Sequence, residues 1–147
     1  MLYMGKRSFF SSGSSVSNLD IASLILRLVS GSFMIYGHGW GKFQKFFSDE
    51  AIEFMDPFGI SATATLGLVV FAEFFCAILV VLGLMTRYAL IPLMITMLYA
   101  GFVVHGGDEF RSKELALVYL AVYLVLLLIG PGKYSLDRMI RKRRSTI

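Results

Sequence analysis

The sequence predicts an all-α fold, an integral membrane four-helix bundle with an interfacial amphipathic helix in its first outer loop. Three observations predict it. Of 147 residues, 56% are hydrophobic and 16% charged, where a soluble domain carries about 25% charge, and the mean hydropathy is +0.71. Four apolar stretches are long enough, or nearly so, to cross a bilayer, which takes about 20 helical residues. The basic residues gather on one side of those stretches.

Residues 1–18 are rich in serine and carry Lys6 and Arg7, and they read as a poorly ordered cytoplasmic tail. A signal peptide is set aside, because Arg27 interrupts the first apolar stretch and three more follow. The four-span region covers residues 19–138, with spans at 19–38, 62–84, 88–105 and 114–129. Only Met85, Thr86 and Arg87 separate the second and third, so these two form a tight antiparallel hairpin. Residues 139–147 make a basic cytoplasmic tail, in which Arg141–Lys142–Arg143–Arg144 reads as an anchor on anionic lipid rather than a nucleic-acid contact.

In the first outer loop Phe43, Phe46, Phe47, Phe54, Met55 and Phe58 recur near helical spacing, with Lys42, Lys45, Asp49, Glu50 and Glu53 between them. The pattern predicts a helix lying in the interface and ending near Pro57. It reads equally as a lid over the bundle mouth or as an anchor. Trp40 is expected at headgroup level.

Four spans put both termini and the 85–87 link on one side. That side holds nine basic residues: Lys6, Arg7, Arg87, Lys133, Arg138, Arg141, Lys142, Arg143 and Arg144. The other holds four, Lys42, Lys45, Arg111 and Lys113, together with seven acids, Asp49, Glu50, Glu53, Asp56, Asp108, Glu109 and Glu114. The positive-inside rule then sets both termini in the cytoplasm. The single cysteine, Cys76, excludes an internal disulfide and a multi-cysteine metal site, and reads as a small buried hydrophobe.

The polar residues inside the spans carry the functional question. A charge at mid-membrane costs about 2.5–3.5 kcal/mol on insertion scales and needs a partner. Glu73 is the sole acid in the middle of a span, and counting from the span ends puts it near the depth of Arg27, so an Arg27–Glu73 ion pair is expected. Arg27, Gly31, Met34 and His38 fall on one helical face. His38, Lys42, His105, Glu114 and Asp108 gather near the outer ends of the spans. Each has a plainer reading: a register-fixing pair for Arg27 and Glu73, wet interfacial tips for His38 and His105, solvated helix ends for Lys42 and Glu114. Tyr99, Tyr119 and Tyr123 read as packing residues.

The stretches "RLVSGSFMIYGHGWGKF", "AEFFCAILVVLGLMTRYAL", His105, "KELALVYL" and "GPGKYSLD", in that order, resemble the DoxX family of small four-span bacterial membrane proteins over about residues 22–138. The resemblance implies an inner-membrane four-helix bundle, a DoxX-like domain over 19–138. It also implies a link to quinone-coupled or thiol and sulfur redox chemistry, since a related group includes the membrane subunit of a thiosulfate:quinone oxidoreductase. Thiosulfate chemistry itself does not carry over, for the chain has no cysteine pair to shuttle sulfur or electrons.

The leading expectation is a redox-associated membrane subunit that binds a quinone-like lipid near the outer mouth, with Arg27, His38, Glu73, His105 and Glu114 as the binding residues. No residue is assigned a catalytic role, and no metal is expected. The rival is a non-catalytic scaffold whose acidic outer loop docks an extracytoplasmic redox partner. Haem ligation by His38 and His105 ranks below both. The bilayer is the expected environment. A redox protein of the membrane or its outer side, or a second copy of the chain, completes the range of partners. A transporter lacks its usual pointers, an internal repeat and paired broken helices.

Overall fold

The computed structural model describes residues 16–57 and 59–144. Among them every regular element is helical. Four helices are long and apolar enough to cross a membrane: α1 (Val16–Phe46), α2 (Ala62–Leu82), α3 (Thr86–Val104) and α4 (Phe110–Ile129). A short fifth, α5 (Leu136–Arg144), follows. The protein is a multi-pass membrane protein, as the composition predicts. Of the expected N-terminal tail, residues 1–15 lie outside the described residues, and 16–18 already belong to α1.

Each span presents large apolar side chains outward, such as Phe33 on α1, Phe75 on α2, Phe102 on α3 and Leu128 on α4, all more than 40% exposed. In water such a surface would be a liability; in lipid it is the solvated face. Between the spans, Met34, Cys76, Val80, Leu90, Leu93 and Leu126 form the core. Lipid tails are as apolar as this core, so helix association rests on close packing and polar contacts rather than on the hydrophobic effect. Two glycines of α1 supply the close packing. A Cβ at Gly31 would lie 2.5 Å from Val81 Cγ2 and 3.2 Å from the Ala77 carbonyl, and one at Gly39 would lie 2.5 Å from the Glu73 carbonyl.

The bundle has two unlike ends. One, the link face, carries residues 83–85, residues 130–135 and α5. The other, the loop face, carries residues 47–61 and 105–109. At the link face the chain is tied by polar contacts. Ser23 Oγ donates to the Gly130 carbonyl at 2.8 Å, the Lys133 amide donates to Asp20 at 2.8 Å, and the Asp137 amide donates to the Gly83 carbonyl at 2.9 Å. The tight α2–α3 turn runs through left-handed backbone at Gly83 (φ 68°) and Met85 (φ 48°). Asp137 caps α3 by accepting from the amides of Met85 and Thr86, at 2.7 and 3.0 Å.

The interfacial helix expected in the first outer loop is not there. Its first residues, through Phe46, continue the first span, and residues 47–57 are irregular. The aromatic periodicity is real but serves another surface: Phe43 stacks on Phe74 of α2 with ring centroids 4.5 Å apart, and Trp40 lies 6.0 Å from the same ring. The helix stops where Ser48 Oγ takes the Lys45 carbonyl and where Asp49 and Glu50 would oppose the negative end of the helix dipole. At 31 residues, α1 is about 46 Å long, well beyond the roughly 30 Å of a bilayer's hydrocarbon core.

Candidate functional site

The polar residues predicted to share one site divide between the two faces. Arg27 is fully buried, but its guanidinium reaches the link face. Nη1 donates to the carbonyls of Val80 and Val81, at 3.4 and 3.1 Å, and Nη2 to that of Tyr134 at 2.8 Å. The acid whose charge acts on it is Asp137. The expected Arg27–Glu73 pair is therefore absent. The error lies in the register. Glu73 packs at the level of Gly39, and from Arg27 to Gly39 the helix rises about 18 Å. Depth counted from the predicted span ends fails because α1 begins before residue 19 and runs past residue 38. Arg27 instead closes the C-terminal end of α2, where carbonyls lack helical partners.

Glu73 finds its partner in Lys42, whose Nζ donates to Oε2. The carboxylate side chain is 5% exposed and the lysine 29%, so the pair sits just inside the loop end of the bundle. His38, one turn before Lys42 on α1, feels both charges and meets the ring of Tyr119 edge-on at 5.8 Å. Tyr119 in turn stacks on Tyr123 at 5.9 Å. The Tyr123 hydroxyl is buried with no hydrogen-bond partner among the described residues.

His38, Lys42, Glu73 and Tyr119 line one cavity of about 590 Å³ that draws on all four spans and on Phe54 and Met55 of the first loop. His38, Lys42, Glu73 and His105 supply its ionisable groups, and Leu68, Val69, Ile95, Met97 and Leu115 are among its apolar walls. Three of the spans loosen into a π-helical turn beside it: Ile35–Gly39 in α1, Phe71–Cys76 in α2 and Ala100–Val104 in α3. His38, Glu73, Ala100 and Val104 lie in those turns. A π turn inserts a residue into the helical register and re-aims the side chains that follow it, and such turns concentrate at functional sites.

Of the five residues predicted to bind, His38, Glu73 and His105 therefore share a cavity. His105 is at its rim, its Nδ1 2.8 Å from Asp108 Oδ2. Arg27 lies outside it, and Glu114 is exposed on α4, not among its lining residues. Lys42, gathered with these groups at the outer rim but read from the sequence as a solvated helix end, is the cavity residue left out of the expected binding set. Its i+4 spacing from His38 was the available signal, hidden by ending the span at residue 38. Among the described residues no group of three or more His, Cys, Asp or Glu is placed to hold a metal ion.

The profile of the DoxX family matches residues 22–106, more than half the chain and the part that contains both Arg27 and the cavity's α1–α3 walls. An uncharacterised membrane protein of Mycobacterium tuberculosis is 32% identical over 121 residues, covering 71% of this chain and 66% of its own. The inner membrane protein YqjF of Escherichia coli is 29% identical over 129 residues, covering 84% and 95%. An uncharacterised protein of Haemophilus influenzae is 28% identical over 104 residues, covering 67% and 69%. No solved structure matches the chain. The four spans and this match agree: the chain belongs to the DoxX family.

Proposed function

We propose that this protein resides in the bacterial cytoplasmic membrane with both termini in the cytoplasm, and that its loop-face cavity binds the head group of a quinone-class lipid. The placement draws on the cations of the link face, Arg87, Lys133, Arg138, Arg141, Lys142 and Arg143, under the positive-inside rule, and on the inner-membrane relative. The observation that carries the ligand reading is the meeting of His38, Lys42 and Glu73 on the wall of a mostly apolar cavity. Ligand sites of this kind hold an apolar body and fix it with a few placed polar groups.

A quinone head group presents two carbonyl oxygens, which accept hydrogen bonds. Lys42 and His38 are the donors this chain offers, and Glu73 holds the Lys42 ammonium in place. Such a lipid, when bound, carries two electrons and two protons. The residues fit the class, with Lys42 in the place expected of Arg27.

The test is a reduced-minus-oxidised absorbance spectrum and a lipid extract of the protein purified in mild detergent. An ultraviolet quinone change is expected in wild type and lost in His38→Phe. Equal quinone content in both proteins would sink the reading, and visible haem bands would replace it with histidine ligation by His38 and His105.

A second reading, a scaffold for an extracytoplasmic redox partner, draws on Asp49 and Glu50. Both are exposed in the first loop, and neither has an ion-pair partner among the described residues. Crosslinking in native membranes that recovers no partner through this loop would remove it.

A further inference from the structure

A second and larger cavity, of about 840 Å³, opens at the link face, far from the His38–Lys42–Glu73 cluster. It is bounded by the start of α1, the start of α3, the turn after α4 and one side of α5. Four cations line it: Arg87, Lys133, Arg138 and Arg141. All four are exposed, and none makes an ion pair among the described residues. The two acids in its wall are already engaged. Asp20 accepts from the Lys133 amide. Asp137 accepts from the amides of Met85 and Thr86 and from the Thr86 hydroxyl. Four cations against two occupied carboxylates leave the cavity with an excess of positive charge and of free donors.

The backbone keeps the mouth open. Gly130 and Gly132 hold positive φ, 79° and 73°, and a Cβ at Gly130 would stand 3.4 Å from Arg87 Nη2. Beside the cations the rim is apolar: Val16, Met85 and Tyr88 are 78%, 55% and 72% exposed. A soluble anion has no use for those side chains. An amphiphile with an anionic head and an apolar body has.

The geometry points to a binding site for the phosphodiester head group of an anionic phospholipid, taken from the leaflet that borders the link face. Arg87, Arg138 and Arg141 are its phosphate-binding side chains, and Val16, Met85 and Tyr88 flank its glycerol and upper acyl chains. Guanidinium groups suit this task because their forked donors match phosphate oxygens in pairs. Basic pockets between spans take anionic head groups by this charge-plus-apolar arrangement. The site is more than a basic tail resting on a charged surface, since Arg87 comes from the first turn of α3 and Arg138 and Arg141 from α5.

The experiment is native mass spectrometry of the full chain in detergent, titrated with phosphatidylglycerol, with phosphatidylcholine, and with inorganic phosphate. Saturable binding of one phosphatidylglycerol is expected, with phosphatidylcholine far weaker and inorganic phosphate competing poorly. The Arg138→Gln/Arg141→Gln double variant should weaken phosphatidylglycerol binding by about 25-fold, some fivefold per cation removed. Arg111→Gln, which removes a cation from the loop face, should leave it unchanged. Both altered arginines are solvent-exposed on a short helix, so the bundle persists in the double variant, which its unfolding midpoint will verify. Equal phosphatidylglycerol binding by wild type and the double variant overturns the site. Inorganic phosphate binding as tightly as the lipid overturns the lipid assignment.

Discussion

The backbone of Gly39 rests on the carbonyl of Glu73, and a Cβ on that glycine would stand 2.5 Å from the oxygen. The contact fixes the register of α1 against α2. It also brings the Lys42 ammonium, one helical turn further on, within reach of the Glu73 carboxylate.

Gly39→Ala should therefore force the two helices apart at the point where the ion pair forms. Overpacking of this kind costs about 1–3 kcal/mol. The measurement is the thermal unfolding midpoint in detergent, with Gly37→Ala beside it. A Cβ at Gly37 meets nothing within 4 Å, so that variant is expected to match wild type. Equal midpoints for the two variants would show that the close approach does not matter.

Arg27→Met should weaken the fold rather than ligand binding. The guanidinium satisfies carbonyls of Val80, Val81 and Tyr134, and it occupies the space where a side chain at position 83 would stand, 2.4 Å from an added Cβ. Removing it takes the side-chain donor from the part-buried Val81 and Tyr134 carbonyls, at about 1–3 kcal/mol for each group left without a partner, while the Val80 carbonyl keeps the Gly83 amide at 3.1 Å. A midpoint lowered by several degrees, with quinone content unchanged in the protein that remains folded, is the expected result. Loss of quinone at an unchanged midpoint would return Arg27 to the ligand site.

These two variants mark how much the sequence disclosed. The number of spans was legible because hydropathy reports directly on a lipid solvent, and the face Arg27–Gly31–Met34 was legible from the 3.6-residue repeat: all three are buried. The partner of Arg27 was not. Pairing across helices depends on register, and register here follows from Gly39 meeting Glu73, a backbone contact with no compositional trace. The π turns at Ile35–Gly39 and Phe71–Cys76 were equally hidden, since no residue type announces an inserted residue. The long reach of α1 was legible in principle. Phe43 and Phe46 have helical spacing, but spacing alone does not say whether a helix lies flat or continues upward onto Phe74.

Asp137→Ala should loosen the link face. The carboxylate caps α3 through the amides of Met85 and Thr86, and loss of such a cap costs about 1–2 kcal/mol. Met85 carries a left-handed backbone, so the turn depends on this cap more than an ordinary one does. Asp137→Asn keeps an acceptor oxygen and is expected to lose less than half as much. Hydrogen exchange of the Met85 and Thr86 amides would check the assignment directly, with protection falling in the alanine variant and mostly retained in the asparagine one.

The Lys42–Glu73 pair lends itself to a double-variant cycle. Lys42→Met leaves a carboxylate that is 5% exposed facing an apolar cavity without its counter-charge. Removing one partner of a fully buried pair costs about 3–5 kcal/mol; because Lys42 is 29% exposed, water screens part of this and about 2–3 kcal/mol is expected. Glu73→Gln should cost less than Lys42→Met, because the stranded ammonium can turn toward solvent. The combined Lys42→Met/Glu73→Gln protein should be more stable than Lys42→Met alone, since no uncompensated charge remains. If the pair serves only the fold, the double variant keeps the quinone proposed for the wild type. If it also fixes the head group, the double variant recovers stability while its quinone stays lost, and that separation of the two readouts distinguishes a packing role from a binding one.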